Sequence, residues 1–198
     1  MGDVVGEVGC VDEDEYLAEQ AAVDLGVAFP LIVRAHGGAI YTTALRVGLQ
    51  PADADDLAAE TFVRAYAALG GYAPGRIREM RLRPWLVTIT LNLWRNQLRD
   101  ATRRPRLVPL EPLGALPDPT AGPEEVSLAA GTSQRVERLL AGLSPQQRVP
   151  IVLRHVVGLS NDETAAALDC PAGTVKSHVS RGLAILRAQL HLTEEASS

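Results

Sequence analysis

The stretch from Asp100 to Gln134 decides the architecture open to this 198-residue chain. It reads DATRRPRLVPLEPLGALPDPTAGPEEVSLAAGTSQ, carries six prolines (Pro105, Pro109, Pro112, Pro117, Pro119 and Pro123) and sustains neither a helical nor a strand period. Proline fixes φ and lacks an amide donor, so such a segment favours extended backbone and cannot bury enough surface to fold alone. A flexible linker over 101–134 therefore separates a module at about 25–100 from another at about 135–191, each a small domain. Residues 1–24 read as an acidic, mobile N-terminal segment and 192–198 as a tail.

Both modules read as helical, which makes the fold class all-α. In the first, Pro30 suits a first turn, and Phe29, Ile32, Val33, His36, Ile40 and Ala44 recur at helical steps, with Gly37-Gly38 as a weak point. A second helix follows Pro51, favours Asp53, Asp55 and Asp56 near its positive end, turns Leu57, Thr61, Phe62, Ala65 and Leu69 to one face, and stops at Gly70-Gly71. A third starts near Pro84 and presents Trp85, Leu86, Ile89, Leu93 and Leu98. In the second module, Ser144-Pro145-Gln146-Gln147 and Ser160-Asn161-Asp162-Glu163 both have capping-box form, which fixes two helix starts. A short break at Asp169-Cys170-Pro171 precedes a longer helix carrying Val175, Val179, Leu183, Leu186 and Leu190. A short helix, a tight turn and a longer helix make a helix-turn-helix.

Net charge misleads until it is resolved along the chain. The formal value is -5, yet residues 1–30 hold eight carboxylates and no Lys or Arg, which leaves 31–198 net basic. Nine arginines (76, 78, 81, 83, 95, 99, 103, 104 and 106) face only Glu79 and Asp100 between Arg76 and Arg106. That density, with both tryptophans and Asn92 among it, fits a nucleic-acid backbone and an unstacked base, although Trp85 itself reads more as a core or core-edge residue than as a stacking platform. On the last helix Lys176, Ser177, His178 and Arg181 lie away from the apolar seam, where a recognition helix contacts bases and phosphates. The acidic N-terminus is expected to compete with DNA for the arginine surface.

Other chemistries find no support in the residues. Cys10 and Cys170 are too distant for a close-spaced metal pair and too few for a disulfide framework, which fits a reducing, cytoplasmic compartment. Cys170 reads as a small buried residue. His36, His155 and His191 have no partner at ligand spacing, and no phosphate loop, nucleophile elbow or zinc signature occurs, so neither a metal, a cofactor nor a catalytic residue is expected. The longest nearly apolar run, Leu25 to Val33, is half a membrane span, so no membrane insertion is expected.

The runs PADADDLAAETFVRAYAAL (51–69), RPWLVTITLNLWRNQLRD (83–100) and LSPQQRVPIVLRHVVGLSNDETAAALDCPAGTVKSHVSRGLAILR (143–187) carry a resemblance. In this order, with a proline-rich linker between, they resemble a bacterial RNA polymerase sigma factor of the extracytoplasmic-function (ECF) subgroup of the sigma-70 family. The resemblance spans roughly residues 27–190. It implies a non-enzymatic initiation factor that binds core polymerase through the β′ clamp helices and the β flap, recognises promoter DNA, and is held inactive by an anti-sigma factor. Asp53, Asp56, Glu60 and Arg64 would hold the clamp helices, although Ala59 stands where the family often has Gln. Arg76, Arg78, Arg81, Arg83, Trp85, Asn92, Arg95 and Arg99 would bind the -10 element as a melted strand, with Asn92 facing a flipped base and Gly71–Pro84 as the neighbouring loop. Thr174, Lys176, Ser177, His178 and Arg181 would read the -35 element. Val87-Thr88 replaces the family's frequent Tyr-Arg, His178 a common Arg, and Asp169-Cys170 a frequent Gly-Val; Asp tolerates the left-handed conformation that the turn needs. The residues alone also allow a self-contained helix-turn-helix regulator with a helical sensor or dimerisation domain.

Overall fold

A computed structural model of the chain describes residues 13–103 and 135–195. All regular structure among the described residues is helical. The first module holds α1 (Glu13–Val23), α2 (Leu25–Arg46), α3 (Pro51–Gly70), α4 (Pro74–Arg78) and α5 (Leu82–Arg103). The second holds α6 (residues 135–141), α7 (Pro145–Ile151), a π-helical turn (Val152–Val156), α8 (Asn161–Leu168) and α9 (Ala172–Glu195). The linker beyond 103 lies outside the described residues.

Several boundaries differ from the sequence expectation. Residues 13–23, expected within a mobile acidic segment, form α1 and bury Leu17, Ala18 and Ala21. That face is built mainly from alanine, which gives little amphipathic signal among so many carboxylates. The next helix starts at Leu25 rather than around Pro30, because the Asp24 carboxylate accepts the Val27 N–H at 3.2 Å and caps it. Pro30 therefore sits inside α2, still in its early turns, and Gly37-Gly38 does not interrupt the helix. At the other end α9 runs to Glu195, through most of the expected tail.

α3 begins with Pro51 and buries Ala54, Leu57, Thr61, Phe62, Ala65 and Leu69, the face its three- and four-residue spacing anticipates. Its seam with α5 contains two threonines, both satisfied. Thr61 Oγ1 donates to the Leu57 carbonyl at 2.8 Å and Thr90 Oγ1 to Leu86 at 2.9 Å, and the two hydroxyls lie 3.3 Å apart. Burying these hydroxyls without such partners would cost on the order of 1–3 kcal/mol each. α4 shortens the loop expected between α3 and α5 and brings Ile77 into the core.

Both capping boxes form, at Ser144/Gln147 and Ser160/Glu163. Pro150 lies inside α7 and cannot donate to the preceding turn. The helix widens immediately afterwards, where Val157 N–H reaches back five residues to the Val152 carbonyl at 3.0 Å. α8 ends at Asp169, which adopts φ 52 and ψ 51. With Asp169 left-handed, the Cys170 N–H returns to the Ala165 carbonyl at 3.1 Å and Asp169 N–H to Ala166 at 3.3 Å, a Schellman closure. The departure from a glycine turn thus preserves the turn. Gly182 lets α9 approach α7, since a Cβ there would collide with Ile151 Cδ1. The helix-turn-helix packs on the first module, α8 against α5 and the π-turn against α2, and buried residues of both modules join one apolar cluster.

Candidate nucleic-acid interface

α4 and the first half of α5 build a cup beside α3. Tyr72 follows the end of α3 and meets Trp85 edge-on at 6.2 Å, while the Arg76 guanidinium stacks 3.8 Å above the Tyr72 ring. Trp85, Ile89, Asn92, Leu93 and Asn96 line one wall of a cavity of about 250 Å³, and Arg64, Ala68 and Tyr72 contribute from the α3 side. Asn92 Oδ1 accepts from Arg95 Nη1 at 3.3 Å. Aromatic floor, paired amides and a guanidinium at the rim are the groups that stack on a base and hydrogen-bond its edge. Of the residues singled out from sequence, Arg64, Trp85 and Asn92 line this cavity. Tyr72 and Asn96 were not singled out, although Asn96 stands one helical turn beyond Asn92 and that spacing carries the signal.

Other arginines of α4, α5 and the turn between them have protein partners away from the cavity lining. Arg78 Nε pairs with both oxygens of Glu19 on α1, at 3.0 and 2.9 Å. Arg81 Nη1 lies 3.0 Å from Glu163 Oε1 of the helix-turn-helix. Arg83 donates its backbone N–H to Asp14 Oδ2 at 3.0 Å and its guanidinium to the Val157 carbonyl at 3.5 Å. Arg95 reaches the Ala167 carbonyl at the C-terminal end of α8 at 3.5 Å. Arg99 is exposed further along α5.

Asp14 ties α1 to the start of α5 and to His36, which is buried with Nε2 3.1 Å from Asp14 Oδ1. Burial alone would raise the Asp14 pKa, but the His36 contact and the Arg83 N–H outweigh it, and the carboxyl sits below its ordinary value. A carboxyl depressed on folding adds stability above its unfolded pKa of about 4, and that stability disappears as pH falls through the lower folded value. Asp14→Asn is therefore expected to lower unfolding stability by about 1 kcal/mol at pH 7 and by much less at pH 2. Urea titrations at the two pH values measure this; an equal loss at both would assign the effect to packing instead of charge.

On the outer face of α3, Asp53, Asp56, Glu60 and Arg64 are exposed at spacings that keep them in one stripe. Arg64 Nε pairs with Glu60 Oε1 at 2.6 Å and also lines the cavity, so one guanidinium serves both places. In the second module Lys176, Ser177 and Arg181 are exposed on the first half of α9. Thr174 and His178 are half-covered: with Leu168, Cys170 and Val175 they face Trp94 and Arg95 of α5 across a groove of about 340 Å³. Cys170, expected to be buried, is only partly covered there. A second groove, of about 320 Å³, places Lys176 and Ser180 beside Arg154, His155, Asn161 and Arg187. Arg154 of the π-turn and Arg187 of α9 extend the basic surface beyond the residues picked from sequence. No helix among the described residues is long and apolar enough to cross a membrane.

Residues 32–104 match the family Sigma-70 region 2, and residues 133–186 match Sigma-70, region 4. The RNA polymerase sigma factor CnrH of Cupriavidus metallidurans is 35% identical over 190 residues, covering 93% of this chain and 97% of that protein. The ECF RNA polymerase sigma factor SigE of Mycolicibacterium smegmatis is 33% identical over 84% of this chain, which spans 64% of that longer protein. A solved structure of CnrH in complex with the cytosolic domain of CnrY superposes with a TM-score of 0.64 at 31% identity, covering 91% of this chain and 99% of that one. Two region matches in the correct order and near full-length similarity to CnrH agree with the helical modules described above: the chain belongs to the extracytoplasmic-function subgroup of the sigma-70 family of RNA polymerase sigma factors.

Proposed function

We propose that this sigma factor binds core RNA polymerase through the exposed stripe on α3, captures one flipped base of a melted -10 element in the Trp85–Asn92 cavity, and reads a -35 element with α9. The observation that carries this reading is the cavity itself. It is of base-sized proportions, with stacking surfaces and amides on its walls and arginines around it. Single-stranded capture fits such a cup, because a duplex does not expose a base face to Tyr72 and Trp85. Duplex reading fits α9, whose exposed Lys176, Ser177 and Arg181 reach outward from a helix held by its turn. Polymerisation chemistry stays with the core enzyme. The β′ clamp helices and the β flap are the docking partners implied by the family. An anti-sigma factor is a further partner on the same ground, in keeping with CnrH having been solved with the cytosolic domain of CnrY.

The test is transcription in vitro with core polymerase and a set of the host's promoters, followed by start-site mapping. The expected outcome is initiation at a defined subset of promoters only when the chain is added, with weak promoter binding by the chain alone. Tight, sequence-specific duplex binding by the free chain, with no effect on core polymerase, would instead support a self-contained regulator.

A further inference from the structure

One of the elements that build the cup cannot hold itself in place. α4 is five residues long, its Ala73 N-cap offers no side-chain acceptor, and so short a helix is unstable by itself. Its position comes from α1, against which it packs while burying Ile77. Residues 76 and 78 lie about 200° apart around the axis of α4. Arg76 stacks over Tyr72 at the cup, so Arg78 is turned away from it, and its Nε meets both Glu19 oxygens of α1 at 3.0 and 2.9 Å. Arg78 does not line the cavity. The same α1 helix also reaches the start of α5. Asp14, which precedes Glu19 by about 7.5 Å along the axis, accepts the Arg83 N–H at 3.0 Å. That N–H belongs to the first turn of α5, where no carbonyl of the helix itself can take it, and Trp85 follows two residues later. α1 therefore joins the end of α4 to the start of α5 across the connection 79–81.

We propose that α1 is the brace that positions the cup, with Glu19 and Asp14 fixing α4 against the start of α5, and that Arg78 is a positioning residue of this brace instead of a contact to the melted strand. The inference rests on reading the Trp85–Asn92 cavity as the site of a captured base. It reassigns Arg78, expected from sequence to bind the -10 element, because its guanidinium turns to the side of α4 away from Tyr72. It also revises the role expected for the acidic N-terminus. α1 is part of the core, so truncation at residue 24 would remove buried Leu17, Ala18 and Ala21 together with both bracing carboxylates. The Arg78–Glu19 pair is exposed at both ends and adds little to global stability, which makes it the separable part of the brace.

Charge exchange tests the pair. Glu19→Arg, Arg78→Glu and the double exchange are made in the full chain and assembled with core polymerase. Open-complex formation is measured on a dependent promoter and on the same promoter carrying an abasic site at the -10 position that Asn92 reads, the one at which an Asn92→Ala holoenzyme loses discrimination. Each single variant is expected to lower open-complex formation about three- to fivefold, and the double exchange to restore it to within about twofold. On the abasic template all three should match the parent, since a displaced cup costs nothing when there is no base to seat. Core pull-down, circular dichroism and a cooperative melt verify that docking and fold are intact. Where a reversal prevents folding, Glu19→Gln, Arg78→Gln and their double variant carry the same test as a mutant cycle, with losses that do not add. Single variants as active as the parent would overturn the proposal, as would equal losses on the intact and abasic templates. An Arg78→Glu loss that Glu19→Arg does not repair would also overturn it. In that case the slope of log affinity against log salt for a -10 single-stranded oligodeoxynucleotide should fall by about 0.7, the signature of a lost phosphate contact. An Asn92→Ala holoenzyme as active and as discriminating as the parent would refute the cavity reading and the brace with it, and that outcome is separate from the others because no charge variant is involved.

Discussion

Replacing Asp56 with arginine is expected to weaken association with core polymerase by about a hundredfold or more, enough to remove the chain from a pull-down. Asp56 is exposed on the outer face of α3, in the stripe with Asp53, Glu60 and Arg64. Under the proposed docking, a partner that complements this acidic stripe presents cations, and a cation at position 56 exchanges an attraction for a like-charge contact, a change of several kcal/mol at an interface. The fold should barely register it, since exposed substitutions away from special features usually change stability by about 0.5 kcal/mol or less. Glu60 is a less clean target because its carboxylate holds Arg64 at 2.6 Å, so reversing Glu60 also releases a wall of the cavity. Full core binding by a folded Asp56→Arg chain would show that the stripe is not the docking face.

The second large effect is expected at the cavity. Asn92→Ala removes the amide from the wall shared by Trp85 and Asn96 while leaving an exposed position on α5 that tolerates alanine. Open-complex formation on a dependent promoter should fall roughly ten- to a hundredfold, the equivalent of about 1–3 kcal/mol of base contact. The loss should be specific. Promoters substituted one position at a time across the -10 element should show one position whose identity matters to the parent and no longer matters to the variant. A uniform decline over all promoter variants would place Asn92 in general strand binding instead.

Local chemistry was readable from the residues and long-range pairing was not. The capping boxes at Ser144 and Ser160 are complete within four residues, so their helix starts could be placed without the rest of the fold. The left-handed turn at Asp169 follows from the short side chain at a position where the chain must reverse. α1 was hidden because its carboxylates suggest a solvated tail, while the alanines that make its buried face are weak hydrophobic markers. Asp24 was the true start of α2, yet proline is the louder helix signal. Half of the candidate site was legible for the same reason. Trp85 and Asn92 share one helix at a fixed interval, whereas Tyr72 and Arg64 join them only through the packing of α3 on α5. Nothing in the spacing of Glu163 announces that its second oxygen would meet Arg81.

Arg64 gives the two proposed activities a common thermodynamic term. Its guanidinium is paired with Glu60 on the stripe proposed to meet polymerase and also forms part of the cavity wall. A partner that rearranges this pair alters the cavity's affinity for a base, and reciprocity then requires a captured base to change the affinity for that partner by the same factor. Promoter capture would in this way feed back on how long the factor stays on the polymerase, with no element larger than one side chain carrying the coupling.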